Sequence, residues 1–188
     1  MNNRNLLLRN ACRLFANRGY DAVGVQEIVE NTGLTKPTLY HYFGSKQRLF
    51  SAVLEFYLDP FLSTLKVKCI YKNDVVNSLE QIAAHYFEFA RIEPVFFRLW
   101  MTVRFSPPQS STYQAIIPYQ GKQQKIISNF FEEAAQQYGN MMGRQNAYAI
   151  SFLGMLFAFA TLALQEELPL ENQLVYNAVH QFMHGIFS

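Results

Sequence analysis

The apolar residues of this chain recur mostly at intervals of three and four positions, which is the period of an α-helix with one buried face. Near the N-terminus, Leu7, Ala11, Leu14 and Phe15 form such a stripe, and four arginines lie off it. No stretch alternates apolar and polar residues for long enough to indicate a strand. The pattern predicts an all-α fold of about nine helices.

Breaks in the periodicity divide the predicted helices. Asp59-Pro60 is a candidate kink or interruption of the fourth helix, because proline removes a helical hydrogen bond. The clearest loop is 106–112, SPPQSST. Gly139 is a candidate end of a long helix over about 113–138, and the last helix is predicted over about 171–187.

The stretch 24–46 predicts two short helices joined by a tight turn. Gly33 suits the turn because glycine accepts positive φ, and Thr35 is a good N-cap for the helix that follows. Pro37 falls in the first turn of that helix, where its missing N–H costs nothing. The second helix, about Lys36 to Phe43, has a polar and aromatic face, which is typical of a helix that enters the DNA major groove.

The outward side chains of this second helix match the chemistry of DNA. Lys36 can bond guanine edges or a phosphate, while Pro37 and the Thr38 methyl group can contact thymine methyl groups. Tyrosine hydroxyls and the Lys46 ammonium suit phosphate oxygens, which fix position rather than sequence. From periodicity alone, an ordinary three-helix corner with a polar face remains the alternative. The predicted set is Lys36, Pro37, Thr38, Tyr40, His41, Tyr42 and Lys46.

Charge is unevenly distributed along the chain, whose formal net charge is only +2. Of its 16 basic and 14 acidic residues, seven basic and three acidic residues lie in 1–50. A basic N-terminal third on an acidic body indicates an anion-binding end. The alternative is a set of solvated helix faces.

The N-terminal residues resemble the DNA-binding domain of the TetR family of bacterial regulators over about 6–50. The resemblance rests on Phe15, Gly19-Tyr20, Val25, Ile28, Gly33-Leu34, Pro37-Thr38-Leu39-Tyr40, Tyr42-Phe43, Ser45-Lys46 and Leu49. It implies an Ω-shaped homodimer with an N-terminal DNA reader and a C-terminal domain that binds a small ligand and releases DNA. By position it also implies base contacts from Gln26, Lys36 and Pro37, and phosphate contacts from Thr38, Tyr40, Tyr42 and Lys46.

The chain departs from this family pattern just before the first helix of the pair. The family usually has Ser or Thr there, whereas this chain has Val23-Gly24. The hydroxyl that would cap the helix and contact a phosphate is therefore absent.

The predicted domains are 1–48, a helix-turn-helix reader, and 49–188, a helical ligand-binding and dimerisation domain. The chain holds 17 Phe and 11 Tyr, and we expect a pocket among the helices that suits a small, mostly apolar or aromatic effector. Aromatic residues at helical spacing are more often plain core, so each candidate carries that alternative. The candidates are Tyr86, Phe89, Phe97, Trp100, Met101, Tyr113, Phe152 and Met155.

The last two predicted helices indicate self-association. The stretch 147–164 has no charged residue, and the final helix carries a wide apolar stripe. Two-fold pairing of these helices with their copies would remove this surface from water. An uncharged run of 18 residues also stands at the lower limit for a membrane span. The alternatives are therefore a membrane-associated helical protein anchored by 147–164 and a helical protein-interaction module.

Other chemistry is not indicated. His180 and His184 lie four residues apart without a further Cys or carboxylate at a suitable spacing, so we expect no metal. Phosphate-binding Gly-rich loops and nucleophile elbows are absent, so we expect neither an enzyme nor a cofactor. Cys12 and Cys69 have no disulfide spacing and no signal peptide is recognisable. Together with the resemblance, the sequence predicts a cytoplasmic homodimeric repressor that binds palindromic double-stranded DNA and is released by a small effector.

Overall fold

The computed structural model describes residues 2–165 and 172–185. These residues form nine α-helices and no strand, which confirms the predicted all-α fold. The helices are α1 Asn3–Arg18, α2 Val25–Glu30, α3 Lys36–Phe43, α4 Lys46–Lys68, α5 Val75–Ile92, α6 Pro94–Arg104, α7 Ser111–Ala135, α8 Gln145–Leu164 and α9 Asn172–His184. A 3-10 turn, Gly139–Met141, lies between α7 and α8.

Capping side chains and glycines next to the helix ends set several of the helix boundaries. The Asn2 side chain accepts a hydrogen bond from the Arg4 backbone N–H and caps α1. Gly19 ends that helix with a φ of +80°, a conformation that glycine adopts without strain. Asp74 caps α5 by accepting from the Asn77 N–H at 3.0 Å.

Three predicted breaks differ from the structure. α4 continues through Pro60, because buried residues on both sides hold the helix in place. α7 begins within the predicted loop, since the Ser110 hydroxyl accepts from the Tyr113 N–H. α7 also ends at Ala135 rather than at Gly139, after hydrogen bonds of the tighter i to i+3 type appear in its last turn. Part of the predicted last helix, 171 and 186–187, lies outside the described residues.

The chain packs as two compact units. The first comprises 1–60 and 95–119, and the second comprises 61–94 and 120–188. α4 and α7 therefore contribute residues to both units. The functional division predicted between residues 48 and 49 stays a prediction.

The first unit has an aromatic centre beneath α1 and α4. The Phe15, Tyr20 and Phe50 rings form a cluster with centroid distances of 5.1 to 5.7 Å. Tyr57 of α4 stacks on Phe96 of α6 at 4.3 Å. Burial of Phe15, Phe50, Tyr57 and Phe96 contributes to the apolar core of this unit.

The second unit is built around α5, which contacts both α8 and α9. Its Tyr86 is fully buried and meets Phe61 and Phe157 edge-on. Among the described helices, α8 alone is long and apolar enough to cross a membrane, and 33% of its most apolar window is buried. Length and composition of this kind are shared by membrane spans and by core helices of soluble proteins.

Candidate nucleic-acid interface

The helix pair α2–α3 is held against α1 by apolar contacts and one buried polar contact. Ile28 of α2 and Leu39 of α3 are completely buried, and Phe43 is 6% exposed. The Asn10 side chain donates a hydrogen bond of 2.6 Å to the Ile28 carbonyl oxygen, near the end of α2. Sequence reasoning missed Asn10, although a polar residue three positions after Leu7, at the edge of the apolar stripe, was a usable signal.

The turn between α2 and α3 is fixed by its own side chains. The Thr32 hydroxyl donates to the Val29 carbonyl oxygen at 2.8 Å, and Gly33 has a φ of +68°. The Thr35 hydroxyl accepts from the Thr38 N–H and caps α3, with Pro37 in the first turn as predicted. These contacts set the direction in which α3 leaves the turn.

α3 turns a polar and aromatic face to solvent. Leu39 and Phe43 are its buried residues, while Lys36, Pro37 and His41 are exposed. Tyr40 and Tyr42 are 47% and 39% exposed, which is high for tyrosine rings. Thr38 is half-buried, and its hydroxyl lies 3.0 Å from that of Thr35. All six of the predicted positions on α3 therefore reach solvent at least partly.

Lys46 is held at the start of α4 by an aromatic ring that sequence reasoning did not connect with it. Its ammonium nitrogen lies 4.2 Å from the centroid of the Tyr20 ring, a favourable cation–π distance. Burial lowers the pKa of Lys46, and the nearby Asp21 carboxylate opposes this shift. The Ser45 hydroxyl accepts from the Arg48 N–H and caps the same helix. A lysine beside the positive end of a long helix is a suitable contact for a phosphate.

The start of α2 shows the departure at Val23-Gly24 in atomic terms. Gly24 occupies the N-cap without any side-chain hydrogen bond, and Val23 is 1% exposed. Gln26, the predicted base contact on this helix, is exposed and donates to the Glu30 carboxylate at 2.6 Å. This bond uses one N–H of the amide and leaves its second N–H and its oxygen for a base contact.

The eight predicted ligand-lining residues divide between the two units. Phe97, Trp100, Met101 and Tyr113 belong to the first, and Tyr86, Phe89, Phe152 and Met155 belong to the second. In the second unit the Gln123 amide donates to the Tyr86 hydroxyl at 2.6 Å, so a polar pair lies within an apolar core. The role of all eight residues stays a prediction.

Metal-binding and thiol chemistry gain no support from the described residues. The His180 and His184 rings are 4.5 Å apart on α9, and no group of three His, Cys, Asp or Glu suited to a metal occurs in 2–165 and 172–185. Burial raises the pKa of the Cys69 thiol to about 12, so this cysteine is protonated at neutral pH.

Comparison with known proteins agrees with this geometry. The sequence model of the "Bacterial regulatory proteins, tetR family" matches residues 7–53, which contain α2, α3 and the start of α4. The transcriptional activator FasR of Mycolicibacterium smegmatis is 33% identical over 186 residues, covering 98% of this chain and 83% of that protein. The chain belongs to the TetR family. This regulator is thus a DNA-binding transcription factor, and its membrane-anchor and protein-interaction alternatives are not favoured.

Further matches of this TetR-family regulator are partial in sequence or confined to fold. The transcriptional repressor ComR of Escherichia coli is 37% identical over 84 residues, which are 45% of this chain and 39% of ComR. A Clostridium perfringens putative fatty acid metabolism regulator has a TM-score of 0.85 at 20% identity, with 97% and 99% of the two chains covered. FadR of Bacillus subtilis, solved in complex with stearoyl-CoA, has a TM-score of 0.81 at 16% identity, with 96% and 98% covered.

Proposed function

We propose that this regulator binds a palindromic operator as a homodimer, with α3 of each protomer in the major groove. The observation that carries the proposal is the exposed face of α3, held from behind by Leu39 and Phe43 and followed at once by Lys46. A helix of this kind reads base edges with the residues of its first turn. The family, the basic N-terminal third and the capped turn all support this orientation.

The proposed base and phosphate contacts come from α2, α3 and the start of α4. We assign base contacts to Lys36 and Pro37, which stand at the start of the exposed helix α3, and to Gln26 of α2, for which the family resemblance implies this role. We assign phosphate contacts to Thr38, Tyr40, Tyr42 and Lys46, whose hydroxyl and ammonium groups suit phosphate oxygens. His41, exposed beside Tyr42 at a ring distance of 5.6 Å, completes the proposed surface.

The proposed dimer contact uses the outer faces of α8 and α9. Ile150 is 57% exposed, and Gly154 and Ala158 continue the same face of α8. Tyr176 of α9 is 53% exposed. Leu174, Ala178 and Val179, by contrast, are buried within the protomer, so part of the stripe predicted for pairing already belongs to the core. Two-fold pairing of the remaining faces would bury α8 on both sides.

The proposed effector is a mostly apolar molecule, and an acyl thioester is the class that we favour. The second unit supplies a large aromatic interior around Phe61, Tyr86 and Phe157. The bound stearoyl-CoA of Bacillus subtilis FadR belongs to that protein, and we extend its class to this chain on the likeness of fold. An effector that binds one spacing of the two α3 helices more tightly than the other would shift the population away from DNA.

Repression is the direction that we propose first, because the family resemblance implies a domain that releases DNA when a ligand binds. Activation is the second candidate, because the M. smegmatis activator aligns with almost all of this chain, whereas the E. coli repressor aligns with less than half of it. Transcription from an operator-bearing promoter separates the two directions. Removal of the regulator should raise transcription if it represses and lower it if it activates.

Selection from a random duplex library tests DNA binding and symmetry together. We expect the selected sequences to be inverted repeats whose half-site centres lie about 34–36 Å apart, one turn of the duplex. Fluorescence anisotropy on the selected duplex should show affinity that falls steeply with salt concentration. A selected pool without an inverted repeat, or binding that is flat in salt, would contradict the proposal.

Titration of the preformed DNA complex tests the effector. We expect stearoyl-CoA to lower the anisotropy of a labelled operator, because DNA release returns the duplex to fast tumbling. Coenzyme A without an acyl chain is the matched control and should have no effect. Equal responses to both molecules would reject an acyl-binding pocket.

A further inference from the structure

A cleft in the second compact unit is lined by none of the eight residues assigned to the effector, although the Phe152 ring packs behind two of its lining rings, Phe131 and Phe182. Its volume is about 320 Å³, within the range of about 300–1,000 Å³ that is usual for small-molecule sites. Its walls come from the start of α5, the end of α7, the 3-10 turn, the start of α8 and the end of α9. Five segments therefore converge on one concave surface.

The interior of the cleft is apolar and well supported. Leu79 and Phe131 are each 1% exposed and form part of the core behind it. The Phe131 ring packs against Tyr148 at 5.7 Å and against Phe182 at 6.2 Å, so three of the lining rings hold one another in place. Met141 and Met183, also in the lining, are flexible side chains that adapt to the shape of a ligand.

The rim of the cleft includes polar side chains, and a positive charge lies against one of its lining rings. Asn140, within the 3-10 turn, and Tyr138, the residue before that turn, contribute to the lining. The Arg144 guanidinium lies 5.2 Å from the centroid of the Tyr148 ring, which itself lines the cleft. Within 2–165 and 172–185, no carboxylate forms an ion pair with Arg144.

We propose that this cleft binds a small amphipathic carboxylate. Its apolar part lies against Leu79, Phe131 and Phe182, and its carboxylate meets Arg144 at the mouth. Arginine suits this role because its planar guanidinium binds a carboxylate through two parallel, charge-assisted hydrogen bonds. The lining of this site includes none of the proposed effector residues, and binding there requires neither DNA nor a second protomer.

Methionine methyl groups provide local reporters of this site in the intact chain. With ¹³C-methyl methionine, we expect octanoate to shift the Met141 and Met183 resonances in a saturable manner. Met101 and Met155, which belong to the proposed effector set, should not move. A shift confined to Met101 or Met155, or no shift at Met141 and Met183 up to millimolar octanoate, would overturn the proposal.

Two variants and a neutral probe test the orientation. Arg144→Gln should weaken octanoate binding about fivefold, the effect of one exposed ion pair, and leave octanol binding unchanged. Val76→Trp places a large ring at the rim, where Val76 is 45% exposed, and should abolish the binding of both probes. Octanoate affinity unaffected by Arg144→Gln would overturn the assignment of the carboxylate end, and unaffected affinity in Val76→Trp would overturn the location.

Discussion

Gly24 stands where the resemblance to the TetR family leads us to expect Ser or Thr. Its φ of −87° and ψ of 153° lie in the extended region, which any residue adopts, so glycine is not required by the backbone. A Cβ built at this position meets nothing within 4 Å. No steric constraint therefore explains the absence of a hydroxyl at this position. A serine here is expected to supply both the cap of α2 and the phosphate contact.

Gly24→Ser should tighten operator binding about threefold, which is the scale of one net hydrogen bond. The serine hydroxyl would cap α2 and offer a donor to a phosphate, adding a few tenths of a kcal/mol to the free energy of unfolding as well. Anisotropy on the selected operator and urea unfolding measure the two effects. Gly24→Ala supplies the Cβ without the hydroxyl, and equal affinities for the two variants would refute this account.

Lys36 and Lys46 should respond differently to substitution by alanine. Lys36→Ala is expected to relax base preference at one operator position, at a cost of about 1–3 kcal/mol for the preferred base. Lys46→Ala should weaken binding to all sequences and lower the salt slope by about 1, because it removes a phosphate contact. The measurements are repeated selection with each variant and anisotropy across a salt series.

Lys125→Ala on α7 is the matched control, since it removes an exposed lysine far along the chain from α3. It should leave both the selected sequence and the salt slope unchanged. Unchanged specificity in Lys36→Ala would contradict the assignment of a base contact to Lys36.

At the scale of the element, the histidine His85 joins α5 to α4. The His85 ring stacks on Phe61 at 4.5 Å, and one ring nitrogen lies 3.0 Å from the Phe61 carbonyl oxygen on α4. Burial lowers the pKa of His85, and its contact with the Phe61 carbonyl opposes that shift. The folded protein therefore takes up a proton at this position less readily than the unfolded chain.

This shift predicts a loss of stability in acid. Below the ordinary histidine pKa of about 6.5, the unfolded chain binds a proton that the folded state resists, so the free energy of unfolding falls as the pH drops. In His85→Gln the amide retains a donor for the Phe61 carbonyl but does not titrate. Urea unfolding across this pH window should give a shallower pH dependence for His85→Gln than for the wild type.

His41→Gln removes an exposed histidine from α3 and controls for the loss of one imidazole. A pH dependence in His85→Gln as steep as that of the wild type would place the acid sensitivity elsewhere in the molecule.

The elements that sequence reasoning located correctly are those whose ends carry local signals. The bounds of α3 follow from Thr35, Pro37 and Gly44, which act on residues next to them. Pro60 was ambiguous for the opposite reason, since it lies inside a helix that distant packing maintains. The pairing of Lys46 with Tyr20 joins residues 26 positions apart, and periodicity contains no information about which helix faces meet.

At the scale of the whole molecule, the exposed apolar residues of α8 connect stability with function. Ile150 is 57% exposed, although it lies on a helix whose opposite side forms the core of the second unit. A palindromic operator offers two half-sites, so a dimer gains affinity by binding both at once. Under the proposed dimer, the DNA affinity of α3 depends on residues more than a hundred positions away.

Ile150→Glu should convert the dimer to a monomer, because two-fold pairing would place two carboxylates at one apolar contact. We expect sedimentation velocity to report the monomer mass and operator affinity to fall about a hundredfold, the effect of losing bivalent binding. Circular dichroism should remain helical, since Ile150 is largely outside the core. Ile70→Glu, at a position that is 55% exposed, is the matched control and should remain dimeric.

The small number of buried residues in α3 has a consequence for re-engineering this regulator. Leu39 and Phe43 anchor the helix, while Thr35 and Gly44 mark its ends. We therefore expect the outward-facing positions of α3 to accept other side chains without a change in the fold. Libraries randomised at Lys36, Pro37 and Tyr40 would yield orthogonal transcription factors that share one effector response but recognise different promoters.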